Sequence, residues 1–163
     1  MAKEFEITDE MRAQIGQESP PWPIEVTTTQ VRMFARGVGY TDPVYFDEES
    51  AQKAGYRSVP VPPTHLGIPV FIPGQCSNTF SGPSEGQPSV SHGLPGLLDG
   101  GTETEYLEQI CAGDKLTMTT KLAGLDVRES PALGKMLIVT SESVYKNENG
   151  DPVAIQRAQA IFY

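Results

Sequence analysis

The chain is short of cysteine, histidine and cations. Its 163 residues include two Cys, two His, one Trp and 12 Lys plus Arg, against 21 Asp plus Glu. Each scarcity argues against a class of function. Cys76 and Cys111 form no CxxC pair and no Cys/His cluster, so no structural zinc or other metal site is expected. Two thiols in a chain this long fit two free cysteines in a reducing compartment. The net charge of −9 repels phosphate backbones and argues against nucleic acid as a partner. No apolar run approaches the roughly 20 residues that a membrane-crossing helix needs. The opening "MAKEFEITDEMRAQIGQ" is acidic and amphipathic, without the basic start and apolar core of a signal peptide. No GxGxxG follows a strand-like run, so no dinucleotide cofactor is expected. The expectation is a cytoplasmic protein with no cofactor and no membrane contact.

What is present suits a globular domain. Hydrophobic residues make up 38% and charged residues 20%, and the length fits one domain, 1–163, with a real core. Thr8 to Gln17 reads as a short helix capped by Thr8, with Asp9 and Glu10 in its first turn. "SPPWP" then forces an extended connection. Val31, Phe34, Ala35 and Val38 fall on one helical face, with Thr28 or Thr29 as cap and Gly37 or Gly39 as stop. Glu48 to Ala54 reads as another short helix, closed by Gly55. "VPPTHLGIPVFIPG" is apolar but interrupted by Pro and Gly, and is expected to hold a broken central helix. In Gly74 to Gly93, eleven of twenty residues are Gly, Ser or Pro, which predicts a flexible loop.

From Gly100 the period changes to two. "TETEYLEQI" alternates, and Leu116, Met118, Thr120 and Leu122 share one face. In "GKMLIVTSESVYKN", Met136, Ile138, Thr140 and Val144 share one face and Leu137, Val139 and Tyr145 the other. "ENGD" signals a hairpin, and "PVAIQRAQAIFY" returns as the last strand. Helices first and antiparallel strands last make an α+β arrangement.

One stretch carries the chemistry. "GYTDPVYFDEESA" (Gly39 to Ala51) has the frame of an acid/base motif. With "VRMFARGVGYTDPVYFDEESAQKAGYRSVPVPPTHL", "DGGTETEYLEQICAGDKLTMTTKL" and "VYKNENGDPVAIQRAQAIF", the chain resembles the MaoC-like hydratases and dehydratases of the hot-dog fold. It is most similar to the N-terminal half of double hot-dog enzymes, or the non-catalytic subunit of (R)-3-hydroxyacyl dehydratases. The resemblance covers most of the chain beyond Glu25. It implies a single hot dog, an antiparallel sheet wrapped around a central helix. The family motif reads Gly-Asp-x-Asn-Pro-(aliphatic)-His, followed by Asp and Ala. Here its Asp falls on Tyr40, its His on Tyr45 and its Asn on Asp42.

The resemblance implies a function that these substitutions then narrow. Hydration of a trans-2-enoyl thioester needs a base to activate water and an acid to protonate C2. A neutral Tyr, with a pKa near ~10, does not replace the His. The implied role is a subunit of an (R)-specific enoyl-CoA hydratase or 3-hydroxyacyl thioester dehydratase that carries no catalytic residue. It shapes the acyl pocket and pairs, as a dimer or hetero-oligomer, with a MaoC-like partner bearing Asp and His. Tyr40, Tyr45 and His65 are the expected substrate-binding residues, for acyl-CoA or an acyl-carrier thioester. Asp42 and Asp47 have a plainer reading as caps. His65 is either near the thioester carbonyl at the start of the central helix or a hydrogen-bonded, partly buried histidine. His92 is either an ordinary loop residue or a relocated base. An acyl-CoA thioesterase using Asp42 or Asp47, and an acyl-CoA-binding module without turnover, are the alternatives.

Overall fold

The computed structural model describes residues 5–76 and 82–163. Three short helices precede the long strands: α1 (Asp9–Ala13), α2 (Thr28–Val38) and α3 (Glu48–Lys53). The strands are β1 (Trp22–Glu25), β2 (Ile68–Pro69), β3 (Leu97–Tyr106), β4 (Lys115–Ser130), β5 (Gly134–Lys146) and β6 (Pro152–Phe162). They form one sheet in the order β2-β1-β4-β5-β6-β3, with every pairing antiparallel. The fold is the expected α+β hot dog, a curled antiparallel sheet with few helices.

Helix boundaries follow the capping chemistry. Thr8 caps α1, with Asp9 and Glu10 in the first turn. Thr27, one residue before the expected cap, closes a box with Gln30: the Gln30 amide donates to Thr27 Oγ1 and the Thr27 amide to Gln30 Oε1. Such a reciprocal pair satisfies two orphan donors of the first turn. Gly39 ends α2 in the left-handed region at φ +83°, where a Cβ is penalised. The buried face of α2 is Val31 and Ala35. Val31 packs into the main core with Trp22, Ile24, Val26, Val59, Leu66 and Ile110.

The Pro/Gly-rich segment does not form the expected broken helix. Pro62 and His65 close a turn, and Ile68–Pro69 joins the sheet as β2. Pro60, Pro62, Pro63 and Pro69 lack the amides that a helix needs. Gly67 at φ +100° runs against β1, where a Cβ would lie 2.8 Å from the Glu25 carbonyl oxygen. The helix against the core is instead α2.

The strands are longer than the alternation alone predicts. β3 starts at Leu97, and β4 runs on to Ser130. Each contains a bulge, where pairing shifts between Asp99 and Gly101 and between Leu122 and Gly124. An extra residue reverses the parity of all that follows. Leu116 and Leu122 therefore share the inner face with Leu125, which lies opposite Val139. Asn147 Oδ1 accepts from the Asn149 and Asp151 amides and closes the β5–β6 hairpin. A second core cluster of Phe5, Met11 and Leu137 covers the far end of the sheet. The predicted loop Gly74 to Gly93 falls partly on 77–81, outside the described residues. Its flanks are joined by a bridge between Cys76 and Pro83.

Candidate functional site

The motif is built by consecutive caps. After Gly39 turns the chain out of α2, the Tyr40 amide returns to the Ala35 carbonyl at 2.9 Å. Asp42 caps a single 3-10 turn, Pro43–Tyr45, by accepting from the Val44 amide at 3.1 Å. Asp47 caps α3 by accepting from the Ser50 amide at 2.7 Å. Hydrogen bonding from the Ser50 side chain, followed by its amide, holds the Asp47 carboxyl below its usual range. Arg32 Nε donates to the Phe46 carbonyl at 2.8 Å and ties α2 to this loop. Both carboxylates of the motif thus have the capping roles that the sequence suggests.

These turns bring Tyr40 and Tyr45 together. Their ring centroids lie 5.3 Å apart, tilted by 33°. Burial, followed by the neighbouring Tyr56, Tyr40 and Asp42, pushes the Tyr45 hydroxyl above its ordinary pKa. Tyr45 is therefore neutral at physiological pH, a hydrogen-bonding phenol and not a base. It lines a cleft of 230 Å³ with Tyr56, Pro60, Val61, Pro63, Tyr106, Glu108, Gln109 and Ile110. Tyr40 does not line that cleft, and neither does His65. Tyr106 Oη donates to the Pro63 carbonyl at 2.5 Å, and burial pushes its pKa up to about 12. Arg57 pairs with Asp114, which also accepts from the Cys111 amide at 2.9 Å. That pair anchors the strand turn beside the cleft.

His65 goes inward. It is 6% exposed and stacks on Phe34 of α2, with centroids 4.9 Å apart. Its Nε2 is buried without a hydrogen-bond partner, and burial lowers its pKa. It is a neutral imidazole in an apolar wall. His92 lies at the other end of the sheet. Its Nδ1 accepts from the Leu94 amide at 3.1 Å, and its ring packs on Phe162 at 4.0 Å. It borders a second cleft of 680 Å³. The length of β3, about 30 Å at strand rise, separates it from Tyr106.

Tyr56 and Tyr106 went unnoticed in the sequence. Tyr106 ends the alternating "TETEY" run, so its parity was legible. Its approach to Pro63, 43 residues earlier, was not.

The curled antiparallel sheet with its few helices and the capped loop from Gly39 to Ala51 define a hot-dog fold. The chain belongs to the family described as FAS1-like, dehydratase domain region, which matches residues 13–156. A UPF0336 protein of Streptomyces avermitilis is 32% identical over 120 residues, covering 69% of this chain and 75% of the relative. A probable enoyl-CoA hydratase alpha subunit of Thermomonospora curvata is 26% identical over 140 residues, covering 81% of this chain but 43% of the relative. Among solved structures, the C-terminally truncated HadBC (3R-hydroxyacyl-ACP dehydratase) complex of Mycobacterium tuberculosis is similar with a TM-score of 0.62. Its identity is 19%, covering 91% of this chain and 98% of that chain. Among the described residues, no group of three or more His, Cys, Asp or Glu could hold a metal ion, and no helix is long and apolar enough to cross a membrane.

Proposed function

We propose that this chain is the non-catalytic subunit of an (R)-specific enoyl-CoA hydratase or 3-hydroxyacyl thioester dehydratase. It shapes the acyl pocket while a partner supplies the Asp and His. The observation that carries this reading is the packed Tyr40–Tyr45 pair at the two acid/base positions. A proton acceptor working near neutral pH contributes roughly 10²–10⁴ in rate, and the Tyr45 phenol, which burial holds above its ordinary pKa, does not supply one. Asp42 and Asp47 cap helical turns, which also weakens the thioesterase alternative. In this reading Tyr45 borders the acyl chain, Tyr40 supports it by ring packing, and His65 stands behind the wall, outside the cleft lining. The substrate is an acyl thioester of CoA or of a carrier protein. The HadBC complex and the alpha-subunit relative support a partnered assembly by analogy.

The test is an absorbance assay on crotonyl-CoA and longer enoyl-CoAs. The purified chain alone is expected to show no hydration. The chain joined to a hot-dog partner with an intact Asp/His motif is expected to reach an ordinary enzyme rate, about 1 s⁻¹ or more. Turnover by the chain alone overturns the reading. Release of free CoA thiol in place of hydration favours the thioesterase.

A further inference from the structure

The two edges of the sheet are unlike. On the β4 side, the chain covers its own edge. Gly16 and Ser19 donate to the Leu122 and Thr120 carbonyls at 2.8 and 2.7 Å, and β1 and β2 complete that flank. On the other side, β3 ends the sheet over ten residues. Such an edge presents unpaired amides and carbonyls that template a further strand. It carries neither Pro nor Lys; the devices that blunt it are its acidic residues and the bulge at Gly100. Leu97 and Leu98 at its start are 61% and 43% exposed.

The outer face near this edge has a charge pattern. Lys121 of β4 lies opposite Glu142 of β5. Glu142 lies opposite Arg157 of β6, and Arg157 opposite Glu103 of β3. The ion pairs follow this row. Lys121 Nζ meets Glu142 at 2.7 Å, Arg157 Nε meets Glu142 at 2.8 Å, and Arg157 Nη1 reaches Glu105 at 3.6 Å. Signs alternate strand by strand, and the row ends on exposed glutamates. β3 contains Asp99, Glu103 and Glu105 and no cation.

We propose that β3 is a charge-coded docking edge: Glu103 and Glu105 reject a second copy of this chain and select a partner strand carrying Lys or Arg. This deepens the subunit reading above and rests on it. Two copies meeting at β3 about a two-fold axis normal to the sheet place residues of like parity opposite each other. Registers centred on Glu103, Thr104 or Glu105 then set Glu directly against Glu. Like charges directly opposite are destabilising, and opposite charges are favourable. A basic strand continues the alternation by one step.

The edge can be tested without enzyme or substrate. The wild-type chain, E103K/E105K and E103Q/E105Q are compared by sedimentation velocity at low and high salt, with thermal melts to show that each is folded. The wild type alone and E103K/E105K alone are expected not to self-associate. An equimolar mixture of the two is expected to form a heterodimer at least about tenfold tighter than either self-pair, weakening as salt rises. E103Q/E105Q, with no like charges to oppose, is expected to self-associate more tightly than wild type. The proposal is overturned if the mixture associates no better than its components, or if the Gln variant stays as weak as wild type. Either result leaves the hydratase reading intact, because that reading stands or falls on reconstituted turnover.

Discussion

At the Tyr45 end of the sheet, the cleft is small and one of its hydroxyls is tied. Tyr106 is bonded to Pro63 across 43 residues, and both motif carboxylates hold helix amides. At the His92 end, the N-terminal segment, residues 91–95 and the β4–β5 turn border a cleft three times larger, 680 against 230 Å³. The larger cleft is the default ligand site by volume. We place the candidate site at the smaller one, because there the family motif, the paired aromatics and the Tyr106 bond converge. Volume measures room, and placed polar groups measure discrimination. The one imidazole at the large cleft uses its Nδ1 on the Leu94 amide, as a loop-stabilising residue does.

The sharpest way to break this contrast is to ask whether the two ends fold as one. Leu137 is fully buried in the cluster at the His92 end, and Ile110 is 2% exposed in the main core near Tyr45. Truncating either to Ala is expected to cost about 2–5 kcal/mol, measured by urea denaturation followed by circular dichroism. Because β4, β5 and β6 run through both clusters, each variant is expected to unfold in one transition. A two-step curve for Leu137→Ala would make the ends separate folding units.

A smaller effect separates the two clefts functionally. In the reconstituted complex, Tyr45→Ala is expected to raise KM about tenfold while kcat changes by less than about threefold. The deletion removes contacts shared by ground and transition states. His92→Ala is expected to move neither constant. Loss of kcat at unchanged KM in Tyr45→Ala would give the phenol a part in the chemistry. Loss of activity in His92→Ala would relocate the base to the larger cleft.

Much of this arrangement was legible in residues whose structure is local. Thr8, Asp42 and Asp47 announce their caps, "ENGD" its hairpin, and Gly39 the end of α2. The Tyr40–Tyr45 pair could be read because one turn of chain joins the two residues. What was hidden depends on distant partners. The bulges at Gly100 and Ala123 have only the adjacent glycines as a local signal, yet they decide which side of β3 and β4 faces inward. The apolar "VPPTHLGIPVFIPG" looked like helix material by hydrophobicity. Its prolines and the contact of Gly67 with β1 made it a turn and a two-residue strand. His65 was expected near a thioester carbonyl at the start of a central helix, or as a hydrogen-bonded, partly buried histidine. Its stacking on Phe34, 31 residues earlier, has no local signal.

That placement gives the smallest prediction, and it also compares the two ends. Burial lowers the pKa of His65, and of the half-buried His92, below the ordinary histidine value. The unfolded chain, with histidines near ~6.5, then binds protons more readily than the folded one. Stability is full above that unfolded value and declines as pH falls through it toward the folded pKa. The carboxylates that are held low do not titrate in this range. Ser50 holds Asp47 down, and Lys121 and Arg157 hold Glu142 down. His65→Phe keeps a ring against Phe34 and removes the unpartnered Nε2. Urea titrations at pH 7.5 and 5.5 are therefore expected to show a smaller loss of stability for His65→Phe than for wild type, with no loss at pH 7.5. His92→Phe is expected to flatten the same slope by less, since its ring is only half-buried. If the wild-type slope survives His65→Phe and disappears in His92→Phe, the imidazole that burial disfavours is the one beside the larger cleft, and the assignment of the two ends must be reversed.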